Sequence, residues 1–373
     1  MPKAHHIDDL ECDVCGSHEF YPLDFDVQIL ETRSSMPELN DYVNQICATC
    51  GAITPYPQPS IGRLVEHYKT SYRESDYALH TKNGPIEPPL QIPWSGISFL
   101  RFQSFYDAVE RLKSHNPDLV PGADDFMLDY GAYQGLFLYA AGQAYGCKGI
   151  AYDFNEAGLK FAQQALKLEE ARLSEDIYAD GFDTKVRFIS MIHALEHLQY
   201  PRKFLEHVRE NVILEGGYFY IEVPNATHYP LSEPRHYYSF TAVNLSYLLS
   251  RTGFEVVETW LSGHPSLPGV ASQNPLQNLH CIARARRTAP VALPHGEGLR
   301  VYDEVVRAIR SVGLRALRKL LRNAVSATLG FFLHGIAIVL CDVFPSATAK
   351  RLGLGTGMRA MIRGGTKCFR WLS

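Results

Sequence analysis

The sequence predicts an α/β protein built on a doubly wound, mostly parallel sheet, with a small cysteine-rich module before it and a helical extension after it. Apolar runs alternate with helical patterns in the middle of the chain, two C-x-x-C pairs lie near its start, and a basic segment ends it. With 373 residues, of which 46% are hydrophobic and 20% charged, the chain is long enough for two or three globular domains. Strands are predicted at about 125–130, 148–152, 176–180, 187–192, 218–223, 254–260 and 278–284, and a helix at 101–112.

The cysteine-rich module carries two pairs, Cys12 with Cys15 and Cys47 with Cys50, each followed by a glycine. Four thiolates suit a tetrahedral Zn²⁺ ion. The chain starts without the apolar stretch of a secretory signal, which favours a reducing cytoplasm and therefore zinc. We expect a zinc ribbon in residues 1–60 with structural Zn²⁺ on these cysteines, and a pair of disulfides is the alternative.

The first strand of the α/β region leads into a glycine-bearing turn. Asp129 stands near the strand end, the turn holds Gly131 and Gly135, and the second strand ends in Asp153, 22 residues after Gly131. Nucleotide-binding β-α-β units begin in this way, and the second acid accepts hydrogen bonds from a ribose. Tyr133 stands in the middle of the turn, where glycine would permit positive φ and close approach of a ligand. Its side chain either stacks beside the ligand or partly blocks the site.

Further motifs follow in a fixed order. A third apolar strand runs into His193-Ala194-Leu195-Glu196-His197, a fifth ends in Glu222-Val223-Pro224-Asn225, and His236-Tyr237-Tyr238-Ser239-Phe240 comes after it. The ordered set resembles the class I S-adenosylmethionine-dependent methyltransferases, with their D-x-G-x-G-x-G turn, L-E-H segment, E-x-P-N loop and H-x-x-x-F segment. The resemblance covers about residues 100–285 and departs from the family at Tyr133. It implies a Rossmann-like fold and S-adenosylmethionine as cofactor.

The resemblance also implies which residues meet the cofactor. They are Asp129, Gly131, Tyr133, Gly135, Asp153, His193 and Glu196. Asp129 is expected near the ammonium group of the donor, or else is only a polar strand end. Glu196 and His197 either lie near the cofactor or simply begin a helix, where an acid favours the dipole. Tyr152 and Phe154 either flank the adenine or belong to the core.

Methyl transfer is an in-line displacement, so the enzyme mainly holds donor and acceptor in position. A hydroxyl acceptor also needs a base, and histidine suits that task near neutral pH. The catalytic candidates are His236 first and then His197, with Glu222 orienting acceptor or base. The alternatives are a structural hydrogen bond for His236 and a strand-end cap for Glu222.

The ribbon ahead of the α/β domain resembles the arrangement in sugar C-methyltransferases. Those enzymes carry an H-E-H-type motif, whereas Pro234-Arg235-His236 stands here, so only the last histidine is kept. We therefore expect methyl transfer from S-adenosylmethionine to oxygen of a small-molecule, sugar or glycan acceptor. The alternatives are C-methylation, a binding protein that kept the fold but lost catalysis, and a nicotinamide dehydrogenase, which would share only the first two motifs.

The predicted domains are 1–60, a bridge or lid at 61–100, the methyltransferase domain at 101–290 and a tail at 291–373. Residues 301–373 contain 12 Lys and Arg but 3 Asp and Glu, and 324–341 carry no Asp, Glu, Lys or Arg. A basic amphipathic helix followed by an apolar stretch favours in-plane contact of 301–344 with a membrane surface. A true span, an internal helical subdomain and a homodimer contact remain open. We expect a cytoplasmic protein, peripheral on the inner face of a membrane, and no nucleic acid partner, because no aromatic stacking pattern accompanies the basic residues.

Overall fold

The computed structural model describes residues 2–23, 42–70, 110–111, 113–114, 121–228, 235–262 and 277–309. The chain divides into two units, Met1–Val306 and Arg307–Ser373. Apart from residues 307–309, every feature described below belongs to the first unit.

The N-terminal module is a four-stranded antiparallel sheet. Its strands are β1 (His5–His6), β2 (Glu19–Pro22), β3 (Val43–Cys47) and β4 (Ile53–Tyr56), paired in chain order. Phe20 and Ile46 are fully buried within this small sheet. Helix α1 (Ile61–Thr70) follows it.

The central domain is a seven-stranded sheet in the order β10-β11-β9-β8-β5-β6-β7. Its strands are β5 (Phe126–Tyr130), β6 (Lys148–Asp153), β7 (Glu170–Leu173), β8 (Val186–Ile192), β9 (Ile213–Pro224), β10 (Phe254–Ser262) and β11 (Asn278–Ala285). The pairs among β5 to β9 are parallel, and β11 is antiparallel to both of its neighbours. The predicted Rossmann-like, mostly parallel α/β class is confirmed. The strand order reverses between β5 and β8, and such a point leaves a crevice at the carboxyl ends of the strands.

The helices that connect these strands are α2 (Leu136–Tyr145), α3 (Glu156–Gln164), α4 (Pro201–His207), which runs into a π-helical turn at Val208–Val212, and α5 (Ala242–Arg251). Local chemistry fixes where they begin. The Asn155 side chain accepts a hydrogen bond from Gly158 N at the start of α3, and Thr241 forms a capping box with Asn244 at the start of α5. Pro201 opens α4, where a missing backbone N–H costs nothing.

The third strand of the sheet lies earlier in the chain than predicted. Strand β7 is Glu170–Leu173, so the expectation of a strand at 176–180 was wrong. This four-residue edge strand is largely half-buried and has no apolar run, so the hydrophobic pattern does not reveal it. Residues 176–180 form a turn in which the Asp180 carboxylate accepts hydrogen bonds from the backbone N–H of Glu175 and Asp176. The helix predicted at 101–112 and the bridge residues 71–100 lie almost wholly outside the described residues.

The N-terminal module packs directly on the central domain. Ile53 in β4 and Ser239 exchange two backbone hydrogen bonds of 2.9 and 3.2 Å. The Tyr237 hydroxyl donates to the carbonyl of Pro59 at 2.8 Å, and Asp13 N donates to the Tyr238 hydroxyl at 3.0 Å. The module therefore holds the segment that carries the predicted H-x-x-x-F motif.

Residues 297–309 form a helix that begins four residues before the predicted membrane-contacting segment, 301–344. Val301 and Val305 on this helix are buried, and a Cβ placed on Gly298 would lie 2.2 Å from the carbonyl oxygen of Ala48 in the module. The apolar face of these first turns is thus covered by protein. Within the described ranges, no helix has the length and apolar character needed to cross a membrane. The rest of the predicted membrane-contacting segment, 310–344, lies outside them.

Candidate active site

A cavity of ≈ 350 Å³ opens at the carboxyl ends of β5, β6 and β8. It lies where the strand order reverses, the usual ligand position in open α/β sheets. Five of the predicted site residues line it, namely Gly131, Tyr133, Asp153, His193 and His197. Helix α1 contributes Ile61 and Leu64 to its wall. The module and the sheet domain therefore build the cavity together.

The turn after β5 takes the shape of a glycine turn although a tyrosine stands in its middle. Gly131 has φ 74°, and a Cβ there would lie 2.7 Å from the Cβ of Ala194, so only glycine fits. Tyr133 has φ 47°, an unusual value for a residue with a side chain. A Cβ on Gly158 of α3 would lie 2.7 Å from the carbonyl oxygen of Tyr133 and 2.8 Å from its Cδ2. A glycine in α3 therefore provides the space that Tyr133 needs, and the cavity remains open beside the tyrosine.

Asp153 at the end of β6 holds this turn through both of its carboxylate oxygens. Oδ2 accepts a hydrogen bond from Tyr133 N at 2.8 Å, and Oδ1 accepts one from Asn155 N at 2.7 Å. Burial raises the pKa of Asp153, and the backbone hydrogen bonds oppose this shift. Each carboxylate oxygen can accept a second hydrogen bond, so Asp153 could still receive those of a ribose.

Asp129 and Gly135 are not among the residues that line the cavity. Asp129 is buried and accepts a hydrogen bond of 2.7 Å from the Ser190 hydroxyl. Burial raises the pKa of Asp129 to about 8, against the effect of the Ser190 hydrogen bond. Gly135 begins α2 with φ 70°, and a Cβ there would lie 2.4 Å from Leu168 Cδ1. Gly135 therefore shapes the turn, whereas Asp129 links β5 to β8.

His193 lies between two carboxylates. Its Nδ1 is 3.4 Å from Glu196 Oε1 and its Nε2 is 3.2 Å from Glu222 Oε1. Burial alone would lower the pKa of His193, but the two carboxylates raise it to about 9. Burial would raise the pKa of Glu222, whereas His193 and His280 bring it down to about 2. Glu222 is not among the lining residues, so it orients His193 from behind.

The two predicted catalytic histidines lie together at the other side of this cluster. The His197 and His236 rings meet edge to face with centroids 4.7 Å apart, and His197 Nδ1 is 3.0 Å from the carbonyl oxygen of Arg235. His197 lines the cavity, whereas His236 is not among its lining residues. Burial and the neighbouring His197 hold the pKa of His236 well below its usual range. Glu196 is 1% exposed, and neither of its carboxylate oxygens accepts a hydrogen bond.

Comparison with known proteins identifies the domain that carries this cavity. Residues 106–259 match a family model described as a methyltransferase domain. The chain carries a methyltransferase domain. This match confirms the predicted methyltransferase class. No curated protein matches the chain.

Solved structures similar to this chain include several methyltransferases. A S-adenosylmethionine-dependent methyltransferase from Aquifex aeolicus is 20% identical, over 48% of this chain and 89% of that one, with a TM-score of 0.38. Magnesium protoporphyrin IX methyltransferase from Synechocystis PCC 6803, solved with bound SAH, is 14% identical over 61% and 100% of the two chains, with a TM-score of 0.43. A methyltransferase from Haloferax volcanii, solved in a complex with an activator protein, is 16% identical over 50% and 94%, with a TM-score of 0.38.

The methyltransferase domain also places residues in the cavity that the sequence did not single out. The turn after β7 contributes Glu175, Asp176 and Ile177 to the lining. They were missed because the strand before them was expected six residues too late in the chain. The acids Glu175 and Asp176, which follow the edge strand after Ser174, were the signal available. Tyr152 and Phe154, which the sequence offered as neighbours of the adenine or as core residues, line the cavity as well, and the Tyr152 hydroxyl lies 2.7 Å from Ser174 Oγ.

The four paired cysteines of the module come together in space. Cys12 Sγ lies 3.6 Å from Cys50 Sγ, and Cys15 Sγ lies 3.4 Å from Cys47 Sγ, with all four sulfurs within 4.8 Å of one another. Four sulfurs each about 2.3 Å from a tetrahedral Zn²⁺ would stand about 3.8 Å apart, so the cluster could hold this ion after a slight expansion. Among the described residues all six cysteines are free thiols. This arrangement does not support the disulfide alternative.

Proposed function

We propose that this chain transfers the methyl group of S-adenosylmethionine to an oxygen atom of a small-molecule, sugar or glycan acceptor. The cavity at the reversal point of the sheet, which joins the Gly131 turn, Asp153 and the His193 to His197 segment, supports the proposal. We assign the donor to the side of β5 and β6 and the acceptor to the side of His197 and His236.

On the donor side, Asp153 would accept hydrogen bonds from the ribose hydroxyls. Phe154 and Ile177 offer apolar walls for an adenine, and the Asp176 carboxylate is an acceptor for its amino group. Asp129 does not line the cavity, so it would affect the ammonium group of the donor only indirectly, through the turn that follows β5. Tyr133 would border the donor from the cavity wall.

On the acceptor side, the reaction needs an oxygen in line with the methyl group. The oxygen–carbon bond forms as the carbon–sulfur bond breaks, the electron pair stays on sulfur, and the hydroxyl proton must leave. The raised pKa of His193 makes it a proton carrier rather than a base, with Glu222 as its counter-ion. We therefore assign activation of the acceptor hydroxyl to His197, which lines the cavity, and support of the His197 ring to His236, which packs edge to face against it.

The N-terminal module would carry one structural Zn²⁺ on Cys12, Cys15, Cys47 and Cys50. Zinc ligation supplies folding free energy that a small sheet lacks. The resemblance of the N-terminal module to the ribbons of sugar C-methyltransferases supports a sugar or glycan acceptor. Only one histidine of their H-E-H motif is kept here, which supports methyl transfer to oxygen rather than to carbon. The proposed limits of the module, the methyltransferase domain and the tail are 1–60, 101–290 and 291–373.

A second candidate function is that of a binding protein with a methyltransferase fold and no catalysis. Tyr133 is the observation in its favour, because this side chain lines the cavity where family members have glycine. The two candidates differ in whether the donor binds.

Titration calorimetry of S-adenosylmethionine and S-adenosylhomocysteine into the zinc-loaded chain tests the proposal. We expect micromolar binding that weakens at least about tenfold in Asp153→Asn, because the amide donates where the ribose also donates. Glu156→Gln is the matched control, since Glu156 is exposed and pairs with Lys160 on the surface of α3. Absence of binding by the folded wild-type protein would favour the second candidate.

A further inference from the structure

We infer that Glu196, His197 and His236 form a binding site for one divalent transition-metal ion beside the cavity. One carboxylate oxygen and one ring nitrogen from each histidine all lie within 4.8 Å of one another. Around an ion with ligand distances of about 2.1 Å, neighbouring ligand atoms stand about 3 Å apart and opposite ones about 4.2 Å apart. A small contraction therefore brings the three residues into coordination distance.

The carboxylate of Glu196 is the second observation that points to a cation. Its side chain is 1% exposed, and neither oxygen accepts a hydrogen bond. Its ion-pair contacts are to His193 Nδ1 at 3.4 Å and His197 Nε2 at 4.0 Å, both through Oε1. His193 offsets part of the cost of burying this carboxylate, and a bound cation would supply the further partner that its oxygens lack.

His197 is already oriented as metal-ligating histidines are. Its Nδ1 lies 3.0 Å from the carbonyl oxygen of Arg235, so Nδ1 carries the proton and donates it there. Its Nε2 lies 4.0 Å from Glu196 Oε1. Histidine ligands commonly hold their second nitrogen against a backbone carbonyl in this way, which fixes both the tautomer and the ring plane.

The two segments that carry the ligands are tied to each other by the backbone. Tyr238 N donates to the carbonyl oxygen of Glu196 at 3.2 Å, two residues after His236. Ser239 in turn pairs with Ile53 of the N-terminal module. These main-chain hydrogen bonds thus hold His236 in place relative to Glu196.

The ligand set selects the kind of ion. One carboxylate and two imidazoles suit Mn²⁺, Fe²⁺, Co²⁺ or Zn²⁺ better than Mg²⁺ or Ca²⁺, which prefer oxygen ligands. Three protein ligands leave coordination positions open for other oxygen donors. This site differs from the cysteine cluster in both its ligands and its place in the fold.

The role of the ion follows from its position and rests on the proposed function. His197 lines the cavity, so an acceptor hydroxyl on that side could occupy an open coordination position. The ion would lower the pKa of that hydroxyl, whose proton leaves to solvent. The oxygen then forms its bond to the methyl carbon while the carbon–sulfur bond breaks and its electron pair remains on sulfur. His197 and His236 would thus activate the acceptor as ligands of the ion.

The test uses the full chain with zinc in its N-terminal module. Mn²⁺ alone is titrated and followed by the electron paramagnetic resonance signal of the free ion, and Zn²⁺ alone is titrated in a second series by calorimetry. We expect one further ion per chain from at least one of the two metals. Glu196→Gln and His236→Ala should weaken this binding at least about tenfold. His295→Ala is the matched control, because His295 is exposed, and it should bind as the wild type does.

Glu196→Gln keeps the shape of the side chain, and His193 keeps Glu222 as a counter-ion at 3.2 Å, so the variant should stay folded, which its melting temperature checks. The inference is overturned if neither metal binds beyond the zinc of the module, or if Glu196→Gln binds as tightly as the wild type. Donor binding is measured in parallel by calorimetry with S-adenosylmethionine. Donor binding without a further ion would overturn this inference alone, whereas a further ion without donor binding would contradict the proposed function and leave the metal site standing.

Discussion

Tyr133 and Gly158 fit together at the level of single atoms. A Cβ on Gly158 would stand 2.7 Å from the backbone oxygen of Tyr133, and this oxygen cannot move without shifting the turn. We therefore predict that Gly158→Ala lowers the free energy of unfolding by about 1–3 kcal/mol, as overpacking commonly does, and weakens binding of S-adenosylmethionine. Urea denaturation and calorimetry measure the two effects. Gly181→Ala is the control, because a Cβ there meets no atom within 4 Å. Equal stability of the two variants would contradict the prediction.

Asp129 makes stability depend on pH. Its pKa is about 8 in the folded protein because the group is buried, against an ordinary value of 3.8. An acid whose pKa is raised by folding stabilises the folded protein most while it is protonated. That contribution to the free energy of unfolding is lost as the pH rises through the pKa of the folded protein. Between pH 6 and pH 8 we predict that the free energy of unfolding falls by up to about 1.4 kcal/mol per pH unit from this group. Asp129→Asn should flatten that slope in urea denaturation, and a variant with the wild-type slope would refute the assignment.

At the residue scale, a site residue can be predicted from the sequence where the backbone geometry requires one residue type. Gly131 must be glycine because of its φ and its contact with Ala194, and Asp153 stands at a fixed distance along the chain from it. By contrast, the burial of Asp129 against Ser190 joins residues 61 positions apart, and no local pattern reports that contact. The same holds for the approach of His236 to Glu196, which depends on pairing between distant segments.

At the scale of elements, apolar strands were predictable and polar ones were not. Strand β8 is an almost fully buried run and was placed within one residue of its position, whereas the edge strand β7 was misplaced because its four residues are mostly half-buried. Helix α1 lines the cavity only because the N-terminal module docks on the sheet, which hydrophobic periodicity cannot show. Strands and helices with a hydrophobic pattern of their own could therefore be predicted from the sequence, whereas contacts between elements could not.

The pairing of β4 with the segment around Ser239 links the N-terminal module, and with it the cysteine cluster, to the segment that carries His236. Cys47→Ser should lower the zinc content below one ion per chain, because three thiolates hold the ion less tightly. We predict that it also speeds hydrogen exchange at the amides of Ile53 and Ser239, since both are held by this pairing. Metal analysis and hydrogen exchange by mass spectrometry measure these effects.

Cys147→Ser is the matched control for the cysteine variant, because Cys147 is a buried free thiol outside the cluster. It should keep the zinc and leave exchange near Ser239 unchanged. Zinc loss in Cys47→Ser with unchanged exchange at Ile53 and Ser239 would show that the module does not position this segment.

At the scale of the whole molecule, the helix at 297–309 divides the predicted tail into two parts. Val301 and Val305 are buried, so the start of the tail belongs to the folded protein. Residues 310–373 carry 11 Lys and Arg against 1 Asp, and this excess is what favours contact with an anionic surface. The sequence alone placed the start of the membrane-contacting segment at 301 because the basic pattern starts near there, and it could not reveal which apolar residues the module already covers.

Two truncations separate these parts. Deletion of 301–373 removes two buried valines, each worth about 1.5–3 kcal/mol, so we predict a lower melting temperature and easier loss of zinc. Deletion of 310–373 keeps both valines and should preserve the melting temperature. We further predict that the chain ending at residue 309 no longer floats with vesicles of phosphatidylserine and phosphatidylcholine, whereas the full chain does so at low salt and less at high salt. Equal flotation of the two chains would place any membrane contact before residue 310, and flotation of neither would refute the membrane role of the tail.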